Sequence, residues 1–159
     1  MTNARPLAAG AAPGKVILFG EHAVVYGRPA VAAALTHGLG AAAEVGVDGP
    51  LLKIPRWGSH GLQVKPSRGV NGDAVSRAFG TALDWVGCDL DESVLVTVDG
   101  ALPLGVGLGS SAAFGVTLLR ALANYKNRAF TTAELAAGAE CIERIFHGQP
   151  SGLDHTVVI

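Results

Sequence analysis

Apolar residues along this chain recur with two periods, and the periods divide it into strands and helices. Lys15-Val-Ile-Leu-Phe-Gly20 is a compact apolar run closed by glycine, which predicts a buried strand. Ala30 to Leu35 and Leu39 to Val47 predict two more strands, with His37-Gly38 as the break between them. Asp48-Gly49-Pro50 is a turn signal. Leu51 to Ile54 is short and reads as an edge strand, and the prolines and glycines of 55–69 predict a loop or irregular hairpin. From Asp73 to Val86 the period changes: Val75, Ala78, Phe79, Ala82, Leu83 and Val86 fall on one helix face, with Asn71 or Gly72 as the cap. Ser93 to Val98 is a strand by its β-branched residues. A helix is predicted over Ala112 to Tyr125, and Thr131-Thr-Ala-Glu134 is a capping box that opens another, running to about His147. Gly148 to Gly152 reads as a turn and Thr156 to Ile159 as the start of a strand, so the chain is expected to be cut short. Residues 1–12 are alanine-rich and read as a loose lead-in.

Composition narrows the field. A chain of 159 residues is one domain's worth of material, and 49% apolar residues can fill a core. A net charge of −1 leaves no basic surplus for nucleic acid or an anionic membrane. No apolar run approaches the roughly 20 residues of a membrane span, and Leu7 to Ala12 is shorter than a secretion-signal core. Cys88 and Cys141 stand far apart without a CxxC pattern and read as buried thiols of a cytoplasmic protein. No internal repeat, linker or second domain is visible.

The chemistry-bearing segment is Pro103-Leu-Gly-Val-Gly-Leu-Gly-Ser-Ser-Ala-Ala113. Gly105, Gly107 and Gly109 let backbone approach a ligand closely, and the helix that follows presents free N–H groups and a partial positive charge. Together these make a phosphate cradle, and a serine hydroxyl at the helix start can ligand Mg²⁺ carried by a nucleotide. The loop lacks the lysine of a Walker A motif and the third glycine of a dinucleotide fingerprint. A plain glycine-rich connection between strand and helix is the alternative. Lys15 stands at the mouth of a strand, where it needs an anionic partner unless it is solvated. Glu21 and His22 follow that strand and read equally well as a surface turn. Glu140 and Glu143 share a helix face, and Glu143 and His147, four apart, either chelate a metal or form a solvated face. Asp154 follows a Pro-Ser-Gly turn, where carboxylates also serve as caps.

In this order, the segments APGKVILFGEHAVVYG, PLGVGLGSSAA and ERIFHGQPSGLD resemble the three signatures of GHMP-type small-molecule kinases, and within that superfamily they look most like the mevalonate kinase branch. The resemblance runs from about residue 12 to 158. It implies an α+β fold: a mixed β-sheet packed against helices, with residues 1–159 as the amino-terminal, ATP-binding domain and the carboxy-terminal domain absent. It implies that Gly105, Val106, Gly107, Leu108, Gly109, Ser110 and Ser111 wrap the phosphates of ATP. Ser111 and Glu143 would hold Mg²⁺. Asp154 would act as base toward a primary hydroxyl of mevalonate, with Lys15 beside it and the transferring phosphoryl, and Glu21 and His22 would help seat the substrate. The loop 55–69 and the helix after Asn71 would approach the adenine. Family members also have a second domain and a third glycine loop, and the full-length family offers a homodimer. The chain alone is therefore expected to turn over little or nothing. The competing readings are a kinase of phosphomevalonate or another small alcohol, a non-catalytic nucleotide-binding module and, last, a dinucleotide-dependent oxidoreductase.

Overall fold

The computed structural model describes residues 8–103 and 105–159, apart from the side chain of Val25; the start of the lead-in, residues 1–7, lies outside them. Five strands form one sheet: β1 (Ala8–Phe19), β2 (Val31–Val45), β3 (Leu51–Ile54), β4 (Leu62–Val64) and β5 (Val94–Gly100), in the order β1-β2-β5-β3-β4. Every pairing is antiparallel except β3 with β5, so the sheet is mixed. Four helices accompany it: α1 (Ala74–Val86), α2 (Ser110–Tyr125), α3 (Thr132–His147) and α4 (Leu153–Val158).

α2 organises the core. Ala112 to Leu119 are buried without a break, as expected of a helix that is apolar all round. It packs on β1 and β2 and touches α1, α3 and α4. Phe114, Leu118, Phe79, Leu52, Val96 and Ile142 are fully enclosed around it.

The structure departs from the sequence-based expectations at six places. Ala8 to Ala12 are not a loose lead-in but the first half of β1, paired with Leu39 to Ala43. Alanine has little intrinsic preference for strands; tertiary bonds hold the segment, with Asn124 Nδ2 donating to the Ala9 carbonyl and Arg120 Nη1 to that of Ala11, each at 2.6 Å. His37-Gly38 does not break a strand, because β2 runs straight through it. Gly38 is required there by close approach: a Cβ would lie 2.1 Å from the Ala12 carbonyl oxygen. β3 is interior, flanked by β5 and β4, and β4 is the edge. The cap of α1 is Asp73 rather than Asn71 or Gly72; its Oδ1 accepts from the amides of Val75 and Ser76 at 2.9 and 3.0 Å. These amide bonds, the Ser76 one first, hold its carboxyl below the usual range. Residues 156–159 do not begin a strand. Leu153–Val158 is helical, since burying His155 and Val158 on one face outweighs the β-branched run Thr156-Val-Val. Of the two cysteines only Cys88 is buried, its thiol pushed up to about 11 mainly by burial, while Cys141 is exposed. The capping box at Thr131 is present in both directions, with Thr131 N donating to Glu134 Oε2 at 2.8 Å and Glu134 N to Thr131 Oγ1 at 3.2 Å.

Candidate functional site

The loop between β5 and α2 lies across the end of β1. Gly105, Gly107 and Gly109 adopt φ of 71°, 78° and 67°, a left-handed conformation that costs other residues roughly 1–2 kcal/mol each. Lys15 N donates to the Leu108 carbonyl at 2.9 Å and stitches the loop to the strand. The Lys15 side chain then passes beneath Gly109, where a Cβ would stand 2.7 Å from Lys15 Cγ. Leu108 is half-buried, Val106 is exposed, and Ser110 and Ser111 open α2.

Lys15 is buried, and its Nζ lies 3.0 Å from Asp154 Oδ1 at the start of α4. The anionic partner that its position demanded thus comes from a segment 139 residues away, with the carboxylate still 28% exposed on its open side. Glu143, on α3, is buried to 2%. Its Oε1 has no hydrogen-bond partner among the described residues. Burial pushes its carboxyl above the ordinary value of 4.5, the Asp154 charge adds to the rise, and neighbouring polar groups bring it only part of the way back. Ser111 Oγ also lies 2.9 Å from His147 Nε2, at the end of α3.

Four separated segments therefore meet: Lys15 from β1, the glycine loop with Ser111, Glu143 from α3 and Asp154 from α4. Glu21 and His22 do not join them by direct contact. They are exposed in the turn after β1 and make no side-chain hydrogen bond or ion pair among the described residues. Beside the glycine loop lies a cleft of about 280 Å³ lined by Gly105, Ser110, Ser111, Trp57, Phe146 and His147, with Phe114 at its base. Trp57 stacks on Phe114 at 5.4 Å between ring centroids, and Phe146 meets Phe114 edge-on at 6.3 Å. Neither Trp57 nor Phe146 stands out in the sequence. Trp57 sits in a loop without periodicity, and Phe146 reads as one more apolar position of its helix.

The donor set fits magnesium bound together with a nucleotide. Ser111 Oγ and the unpartnered Glu143 Oε1 are hard oxygen donors. Among the described residues no group of three or more His, Cys, Asp or Glu is placed to hold a cation alone. Magnesium characteristically takes one or two protein oxygens and completes its shell with phosphates and water.

A mixed sheet, a left-handed glycine loop leading into a buried helix and a Lys–Asp pair at its mouth are the features that the comparisons with known proteins bear on. The chain belongs to the GHMP kinase family: the family model "GHMP kinases N terminal domain" matches residues 73–159. Kinases of this family use ATP. Within the family, the chain is 37% identical over 151 residues to the mevalonate kinase of Methanothermobacter thermautotrophicus, covering 92% of this chain and 46% of that protein. The chain thus spans about half the length of the curated relatives it matches. Among solved structures, the mevalonate kinase of L. major in complex with R-mevalonate superposes with a TM-score of 0.72 at 29% identity, over 97% of this chain and 46% of that one. The galactokinase of Lactococcus lactis, complexed with galactose, superposes with a TM-score of 0.74 at 20% identity, over 97% of this chain and 42% of that one. The last is a likeness of fold alone.

Proposed function

We propose that this chain forms the ATP-binding half of a kinase that transfers the γ-phosphoryl group of ATP to the primary hydroxyl of mevalonate. The observation that carries the reading is the Lys15–Asp154 pair at 3.0 Å beneath Gly109. It sets a carboxylate and an ammonium beside the mouth of the phosphate loop. The substrate assignment draws on the resemblance of the three motifs and on the mevalonate kinase relatives, since the galactokinase likeness leaves the fold neutral on that point.

In this reading the backbone of Gly105, Val106, Gly107, Leu108 and Gly109, with Ser110 and Ser111, surrounds the ATP phosphates, and the amides at the start of α2 face their charge. Ser111 and Glu143 hold Mg²⁺, which when bound neutralises the charge that builds up on the phosphate oxygens. Asp154 orients the acceptor hydroxyl. An alcohol is a far weaker acid than a carboxylic acid, so complete proton removal before attack is steeply uphill. Phosphoryl transfer passes through a loose transition state that asks little of the nucleophile, and Asp154 takes the proton late. Lys15 places positive charge at the reacting oxygens and holds Asp154 in position. Glu21 and His22, exposed after β1, are free to bind the substrate's polar groups. With a net charge of −1 and no described helix long and apolar enough to cross a membrane, the proposed partners are small molecules.

Residues 1–159 alone offer one side of a cleft, and in-line transfer needs the acceptor held and water excluded. Titration of this chain with a non-hydrolysable ATP analogue should show magnesium-dependent binding, while ADP release with mevalonate stays near background. Absence of magnesium-dependent binding overturns the nucleotide assignment, and robust turnover by these residues alone overturns the one-sided cleft. Joining the chain to the carboxy-terminal half of the M. thermautotrophicus relative tests the substrate: restored turnover should favour mevalonate over galactose and phosphomevalonate.

A further inference from the structure

Ser111 faces two polar residues that share one face of α3. Its Oγ lies 2.9 Å from His147 Nε2, and Glu143 stands one helical turn back on that face. A serine hydroxyl has a single proton to donate. Given to Glu143, that proton occupies a lone pair of the carboxylate that the cation needs. Given to His147, it leaves the Ser111 lone pairs and the whole Glu143 carboxylate open toward the glycine loop. In the structure Glu143 Oε1 receives no donor from the described residues, which is the condition of the second arrangement. His147 is well placed to accept it. It is the last residue of α3, its ring lines the cleft beside Gly105 and Ser111, and Phe146 flanks it at 6.5 Å.

We propose that His147 is a positioning residue that accepts the Ser111 hydroxyl proton at Nε2, turning Ser111 so that it and Glu143 together present oxygen lone pairs to a magnesium-bound nucleotide triphosphate. The proposal rests on the nucleotide reading above and adds a residue to it. In this arrangement the ring proton of His147 sits on Nδ1. His147 touches neither phosphate nor the reacting atoms; it acts through Ser111.

The test uses this chain and a non-hydrolysable ATP analogue, titrated with and without Mg²⁺. Replacing the acceptor by an apolar ring, His147→Phe, should weaken magnesium-dependent binding roughly 10–100-fold while metal-free binding moves by less than about threefold, the size seen when a group orienting a metal ligand is lost. His147→Gln, which keeps an acceptor, should recover most of the affinity. Long-range ¹H–¹⁵N spectra of the wild-type chain at neutral pH should show Nδ1 protonated and Nε2 bare. Unchanged magnesium dependence in His147→Phe, equal loss with and without the metal, or a proton on Nε2 overturns the proposal. Wild-type chain that binds the analogue without regard to magnesium brings down the nucleotide reading itself, and this inference with it. The two failures are distinguishable because the second appears before any substitution is made.

Discussion

Two of the concavities on this molecule treat their polar side chains in opposite ways. The larger, about 480 Å³ and lined by β1, α2, the α2–α3 connection, the start of α3 and Ile159, contains Arg120, Asn124 and Arg128. Each is spent on backbone: Arg120 donates to the carbonyls of Ala11 and Ile159, Asn124 to that of Ala9, and Arg128 to those of Trp85 and Val86, with Phe130 beneath its guanidinium at 4.6 Å. The smaller, about 280 Å³ beside the glycine loop, adjoins a buried carboxylate with an oxygen left unpartnered and a Lys–Asp pair still open to solvent on one side. The back cavity is finished structure. The loop side leaves a buried carboxylate oxygen without that compensation, a cost that the proposed ligand would offset.

Substitutions can break the comparison. The largest effect is expected on the loop side: Asp154→Asn, in the chain joined to a carboxy-terminal half, should lower the phosphoryl-transfer rate roughly 10²–10⁴-fold with little change in analogue binding. A near-normal rate would remove Asp154 from the mechanism. On the back face the expected effect is the reverse. Arg120→Ala should cost roughly 2 kcal/mol of stability, since charged hydrogen bonds are lost, and leave magnesium-dependent analogue binding where it was; denaturant unfolding beside the binding titration checks both halves. A nucleotide effect there would mean that the two regions are not independent. Asp73→Ala, remote from both, should cost about 1 kcal/mol. Its carboxyl is held low by amide bonds, so the stability it supplies is present above the usual aspartate range and is lost as pH falls through the folded value.

The smallest expected effect has the most telling sign. Burial raises the Glu143 carboxyl above 4.5, so between 4.5 and that raised value the folded chain holds a proton that the unfolded chain releases. Stability therefore falls as pH rises through that window, and the cost persists above it. Glu143→Gln should raise the melting temperature at neutral pH while abolishing magnesium-dependent binding. The gain should fade once the pH drops below 4.5. A variant less stable than wild type at neutral pH would show that Glu143 is structural rather than held ready for a cation.

Much of the fold was legible because its signals are local. The face of α1, the capping box of α3, the bounds of β3 and the glycine loop each follow from residues within a few positions of one another. Apart from the α1 cap, misplaced by one or two positions within a local motif, the strand and helix errors fell where a distant contact outvoted a local preference. Ala8 to Ala12 are strand because β2 and α2 hold them, and Leu153–Val158 is helix because burial of His155 and Val158 wins over β-branching. The candidate site divides the same way. Lys15, Ser111, Glu143 and Asp154 could be named from motif spacing and family resemblance, but nothing local distinguishes Glu143 from the solvated Glu140 one turn earlier, and Trp57 carries no periodic signal at all.

The order of residues alone determined which backbone could adopt left-handed turns, which faces were apolar, and that a glycine-rich loop precedes a buried helix, since these depend on the conformational range and solubility of single residues. The tertiary structure supplied the 3.0 Å contact of Lys15 with Asp154 across 139 positions, the 2.9 Å approach of Ser111 to His147, and a carboxylate oxygen enclosed without a partner among the described residues. Those are distances between segments far apart along the chain, and they exist only once packing around α2 brings those segments to one place.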